Sequence, residues 1–137
     1  MSNMPVAARV EHLEGTEFQK SRGFSPAVVT TGGKTVWLAG QTATKDRNGK
    51  SIAHDFEAQA RTCFELIGKT LARAGGSLKD LVTMTVFISD PRHGDRFVEI
   101  RKEIFADGKF PCSALLTISH FAHAGILIEI QGVAVVP

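Results

Sequence analysis

The sequence contains no tyrosine, one tryptophan and only two cysteines among its 137 residues. Without a tyrosine, no mechanism here can use a phenol. Cys63 and Cys112 lie far apart and in no paired motif. This excludes a disulfide framework and a zinc ribbon, and fits a reducing, cytoplasmic setting. No stretch approaches the roughly 18 apolar residues of a membrane span, and residues 1–5 carry no apolar run of signal-peptide length. Neither sign of charge dominates: 16 Lys plus Arg against 14 Asp plus Glu leaves +2. So small a surplus, with no Tyr and a single Trp, disfavours a nucleic-acid partner. Low-complexity tracts and short repeats are also missing.

What is present is an ordinary globular composition, 43% hydrophobic and 22% charged. At this length a single domain over residues 1–137 is expected. Residues 27–31 and 35–39 are β-rich and flank Gly32-Gly33-Lys34, a pattern that predicts a hairpin. Residues 55–74 read as a helix. Phe56, Ala60, Cys63, Ile67, Leu71 and Ala74 recur at steps of three and four, Asp55 suits the N-cap, and Gly75-Gly76 stops it. Residues 81–89 read as a strand. Asp90-Pro91 then opens a second helix with the stripe Phe97, Ile100 and Ile104, ended by Gly108. Residues 114–119 and 126–136 complete the strands.

This order predicts an α+β fold, a single mixed β-sheet with two helices packed on one face. The last strand is apolar on both faces, with Ile126, Ile128 and Ile130 on one and Leu127, Val133 and Val135 on the other. Helices cover one face only, so the other face predicts an oligomer.

Among residues able to carry chemistry, Glu129 stands out as a lone acid in Ile126-Leu127-Ile128-Glu129-Ile130. A carboxylate there is either ion-paired, at a sheet edge, or desolvated with a raised pKa, and the last makes it a candidate general base. His120 and His123 bracket Phe121-Ala122 in the preceding loop, with no Cys or carboxylate at zinc-site spacing, so no metal site is expected. Cys112 lacks a neighbouring base or cation and reads as a pocket-lining thiol, and Cys63 as a small buried hydrophobe. His12, His54 and His93 read as surface residues. Gly32-Gly33-Lys34 lacks the spacing of a phosphate loop.

Several segments, in order, resemble the Rid (YjgF) family. Gly23-Phe24-Ser25-Pro26-Ala27-Val28 resembles its opening, Leu38-Ala39-Gly40-Gln41 its Ser-Gly-Gln turn, and Phe56-Glu57-Ala58-Gln59-Ala60-Arg61 its first helix. Ala74-Gly75-Gly76-Ser77-Leu78 resembles that helix's exit. Val82-Thr83-Met84-Thr85-Val86-Phe87-Ile88-Ser89-Asp90 resembles its central strand, and Ile128-Glu129-Ile130-Gln131-Gly132-Val133-Ala134-Val135 its final one. The resemblance implies the fold of trimeric chorismate mutases. It also implies a homotrimer with a small-molecule cleft at each subunit interface, and cofactor-free hydrolysis of reactive imines or enamines to a carbonyl compound and ammonia. It carries the family's acid onto Glu129, which would position or activate water.

The resemblance places Phe24, Gly40, Val98, Cys112 and Ser113 around the substrate, and His120 and His123, on a loop about two residues longer than the family's, are candidates for the pocket rim. Three of these depart from the family. Its substrate-clamping arginine is missing from Phe110-Pro111-Cys112-Ser113-Ala114, its tyrosine is Phe24, and its asparagine is Val98. Losing a bidentate clamp removes on the order of 1.5–3 kcal/mol of binding. A substrate other than a small 2-imino acid is therefore expected, or one held by another group, with His120, His123 and Arg101 as candidates. A non-catalytic small-molecule-binding or structural trimer is the alternative.

Overall fold

The computed structural model describes residues 6–137, and the expectation about residues 1–5 lies outside them. In chain order the elements are β1 (Arg9–His12), α1 (Glu17–Ser21), β2 (Val28–Thr31), β3 (Lys34–Trp37), α2 (Phe56–Arg73), β4 (Leu81–Ile88), α3 (Gly94–Ile104), β5 (Cys112–Thr117) and β6 (Ile128–Val136). Short 3-10 turns at Leu78–Asp80 and Pro91–His93 precede β4 and α3.

The α+β class is as the pattern predicts, but the strands form two sheets rather than one. β3, β6, β4 and β5 lie side by side in that order, and β1 and β2 form a separate antiparallel pair. Within the larger sheet β4 and β5 are parallel, and the other pairings are antiparallel. A third, short helix, α1, joins the two predicted from hydrophobic spacing. Its signal was local: Thr16 accepts from the Gln19 N–H at 3.1 Å while Gln19 answers to the Thr16 N–H at 2.9 Å, a capping box legible as Thr-x-x-Gln.

The expected hairpin at Gly32-Gly33 does not form. Both glycines take φ +71°, so the chain does turn there. However, β2 pairs with β1 and β3 pairs with β6, so the two strands leave for different sheets. The Gly33 N–H donates to the Val6 carbonyl at 2.8 Å instead of closing a hairpin ladder. β3 reaches a better-buried neighbour this way, since Val36 falls opposite the fully buried Ala134.

α2 begins and ends where its residues dictate. The Asp55 carboxylate accepts from the Ala58 N–H at 3.0 Å, and Gly75 at φ +85° lets the Gly76 N–H reach the Leu71 carbonyl at 2.9 Å. Its stripe, Ala60, Cys63, Phe64, Ile67 and Leu71, is buried together with Phe97 and Ile100 of α3. Both helices pack on the sheet face formed by Met84, Val86, Ile88, Ile128, Ile130 and Ala134. Burying each of the larger side chains contributes about 1.5–3 kcal/mol. Among the described residues, no helix covers the opposite face.

Candidate functional site

Registers fix what the helix-free face presents. Phe87 lies opposite both Glu129 and Leu116, Thr85 opposite Gln131 and Ala114, and Thr83 opposite Val133 and Cys112. Directly opposed residues share a face, so Glu129 projects away from the helices. β6 is an interior strand, flanked by β3 and β4, which removes the edge-strand reading of Glu129. Glu129 is half-buried and, among the described residues, joins none of the ion pairs. It is an unpaired carboxylate on an interior strand.

Gly40 lies directly against it. A Cβ built on Gly40 would sit 2.2 Å from Glu129 Oε2, so only glycine leaves the carboxylate its place. This approach is held by a two-way bridge. The Gln41 N–H donates to the Ile130 carbonyl at 2.8 Å, and the Ile130 N–H to the Gln41 carbonyl at 3.0 Å. On the other side Glu129 borders a cavity of about 240 Å³ with Phe87, Ile118, His120 and Phe121. The structure therefore brings Glu129, Gly40 and His120 together. His120 Nδ1 makes a short contact with the Ser119 carbonyl, which holds the ring in its loop.

A residue that sequence reasoning missed positions this loop. Gln59 of α2 is fully buried. Its amide NH₂ donates to the carbonyls of Ile52 at 2.9 Å and Gly125 at 2.7 Å, and its oxygen accepts from the Leu127 N–H at 2.8 Å. Two of its hydrogen bonds are thus spent on the backbone leading into β6 and the third on the segment before α2. A glutamine on an otherwise apolar stripe is the only sequence signal it leaves.

Phe24, Val98 and Ser113 form a second cluster, around a different cavity of about 230 Å³ at the edge of β5. Arg101 and Arg22 line it too. Arg101 is 2% exposed. Its guanidinium donates to Ser113 Oγ at 2.8 Å and to the Arg22 carbonyl at 2.9 Å, and stands 5.0 Å from the centre of the Phe97 ring. Desolvation, then the nearby Arg22 charge, pull its pKa down to about 10, which still leaves it protonated at neutral pH. Arg22 itself pairs with Asp95 at 2.8 Å.

Cys112 and His123 line neither cavity. Cys112 is on the helix-free face, its thiol donating to the Val82 carbonyl at 3.3 Å, and His123 is exposed in the loop before β6. Burial, and then the Glu129 charge, push the Cys63 thiol up to about 12, so it stays protonated as a core side chain. Two histidines expected on the surface are half-buried. His93 stacks on Phe56 at 4.2 Å, and His12 lowers its pKa mainly by desolvation. Among the described residues no three His, Cys, Asp or Glu side chains are grouped to hold a metal ion. No described helix is long and apolar enough to cross a membrane.

The profile of the family described as endoribonuclease L-PSP matches residues 15–136. Over 102 residues the chain is 29% identical to a RutC family protein of Pyrococcus horikoshii, covering 74% of this chain and 79% of that one. The RutC family protein YjgH of Escherichia coli is 26% identical over 106 residues, with 77% and 78% covered. Among solved structures, the Rid-family protein YyfB of Yersinia pestis superposes with a TM-score of 0.80 at 23% identity, covering 94% of this chain and 98% of that one. At that identity the likeness speaks for the fold. A YjgF/YER057c/UK114 family member from Mycobacterium tuberculosis superposes at 0.65 with 26% identity, covering 95% and 100%.

Proposed function

This chain belongs to the endoribonuclease L-PSP family, the Rid (YjgF) family its sequence resembles, and on that premise we propose that it is a cofactor-free hydrolase of a reactive imine or enamine. The observation that carries the reading is Glu129, an unpaired carboxylate on an interior strand, pressed against the Gly40 backbone and facing a small cavity. Such a carboxylate can hold a water molecule by accepting its proton. The water oxygen then attacks the imine carbon, and the C=N π electrons move to nitrogen. Glu129 takes a proton from the attacking water and passes it to the nitrogen, which gives a carbinolamine. It then takes the carbinolamine hydroxyl proton as the C=O bond forms and hands it to the amine, so that the C–N bond breaks and ammonia and a carbonyl compound leave.

The family resemblance also supports a homotrimer with its ligand cleft between subunits. Two separate partial pockets in one chain, one at Glu129 and one at Phe24, Val98 and Ser113, are what such an arrangement would use. A second copy would then bring its half of the cleft to the helix-free face of the first. Phe24 and Val98 make the cleft more apolar than that of relatives with tyrosine and asparagine there, which favours a substrate less polar than a small 2-imino acid.

The test is ammonia release from freshly generated imines. Glu129→Gln keeps shape and most hydrogen bonding but cannot take a proton, so turnover is expected to fall by about 10²–10⁴-fold with folding unchanged. A Gln variant that retains most of the rate removes Glu129 from the mechanism. Ligand binding with no ammonia from any imine would leave a non-catalytic binding protein.

A further inference from the structure

We propose that His120 is the acid–base group that converts an enamine into the imine, in the same cavity where Glu129 then directs water onto it. This assigns the site a second activity, an isomerisation, and rests on the hydrolase reading only for the step that follows.

The cavity of about 240 Å³ has two ionisable walls, Glu129 and His120, and the others are Phe87, Ile118, Phe121 and Ala122. Glu129 carries the proton transfers of imine hydrolysis, which leaves the imidazole without a task in that reaction. An enamine sets a different task. It holds its double bond between two carbons, so water has no C=N carbon to attack until one proton is placed on carbon and another is removed from nitrogen. Imidazole lends and reclaims a proton near neutral pH, where few other side chains do. The apolar walls suit an uncharged C=C unit, and so small a cavity keeps one substrate within reach of both side chains.

The fold presents the ring for this use. Nδ1 meets the Ser119 carbonyl, which can only accept, so Nδ1 keeps its hydrogen. Nε2 has no hydrogen-bond partner among the described residues and is the nitrogen that gains and loses the working proton. The loop that carries the ring is fastened at both ends to the end of β4. The Ile118 N–H donates to the Ile88 carbonyl at 2.9 Å, and the Ser89 N–H to the Leu127 carbonyl at 3.1 Å. Gln59 holds Gly125 and Leu127 of the same loop from α2.

The protonated Nε2 gives its proton to the outer carbon of the enamine. The C=C π pair forms the new C–H bond, and the nitrogen lone pair forms C=N. The neutral imidazole then takes a proton from the iminium nitrogen, which leaves the imine and restores the imidazolium. Carbon and nitrogen are the two ends of one three-atom unit, so a single ring nitrogen serves both, and no co-reactant is consumed.

Two probes separate this step from hydrolysis. Methyl aminocrotonate is a primary enamine that persists in water. Trifluoromethyl phenyl ketimine is an N–H imine with no hydrogen on the carbons beside C=N, so it needs no conversion. Ammonia release is measured from both, and exchange of the vinylic hydrogen of the aminocrotonate is followed by NMR in heavy water. Wild type is expected to drive exchange above the solvent background and to release ammonia from both probes. His120→Gln, in an exposed loop position, is expected to lower exchange and enamine turnover by about 10²–10⁴-fold, and ketimine turnover by at least about tenfold less than that. Glu129→Gln is expected to lower ammonia from both probes, with exchange still above the His120→Gln level, because the conversion precedes attack by water. Ammonia from the ketimine without exchange in wild type overturns the assignment and leaves the hydrolase standing. So does a His120→Gln variant that keeps wild-type exchange or loses both turnovers equally. Exchange that depends on His120, with no ammonia from either probe, removes the hydrolase and leaves the isomerisation. Neither exchange nor ammonia overturns both.

Discussion

Glu129 and Gly40 behave as one unit, because the glycine's missing side chain is the space the carboxylate occupies. In Gly40→Ala the new Cβ would lie 2.2 Å from Oε2 and 3.0 Å from Cδ of Glu129. The obstacle is the far end of a flexible side chain, so the carboxylate swings aside and the backbone stays. Turnover of a responsive imine is therefore expected to fall to near the level of Glu129→Gln, with a thermal midpoint close to wild type. A variant with full activity would show that the carboxylate need not stand where it does. Only Gly40 and Gln41 were recognisable as a pair in sequence. Their contact with β6 is a long-range pairing that no local pattern encodes.

At the scale of elements, α2 and α3 are tied across their exposed sides by Glu57. Arg96 donates to it in a short contact, Arg61 lies 3.3 Å away, and these arginines also reach Glu99 at 2.7 Å and Glu103 at 2.9 Å. Hydrogen bonding from Arg96, with Arg61 behind it, holds the Glu57 pKa down to about 2. A carboxyl whose folded pKa is depressed contributes stability above its unfolded pKa, near 4.3, and loses it as pH falls towards the folded value. Wild type should therefore lose thermal stability relative to Glu57→Gln between about pH 5 and pH 2, and the gap should shrink in high salt because the network is exposed. Two thermal-melt series in pH settle it, and curves that stay parallel through that range would refute the coupling. The two long helices were legible because their spacing and caps are local. The Gly-Gly turn is local too, but the choice of strand partner is not, and so the turn forms without the hairpin.

For the whole molecule, the helix-free face is the decisive surface. Trp37 is 78% exposed and Leu116 44% exposed on it, flanked by Val133 and Phe87. Large apolar side chains exposed on a sheet face that the helices leave uncovered mark an interaction surface. Light scattering is expected to report about three times 14.8 kDa, and Leu116→Glu to dissociate that assembly by placing a charge in a desolvated contact. A stable wild-type monomer at micromolar concentration would refute the trimer and, with it, the joined cleft.

The α+β class, both long helices, the central and final strands and the singular position of Glu129 follow from residue order alone. Each depends on spacing, caps or a single acid among apolar neighbours, which are properties of a few consecutive residues. The division of strands into two sheets, the interior place of β6, the contact of Gly40 with Glu129 and the bonds of Gln59 to the loop all join residues far apart in the chain. Arg101 shows the difference most clearly. In sequence it is one charge in a helix, between Ile100 and Lys102, and only packing against Phe97, Ser113 and the Arg22 carbonyl makes it a buried cation that pairs with no acid among the described residues. Burial and charge compensation are properties of surroundings, and surroundings exist only once the chain has folded.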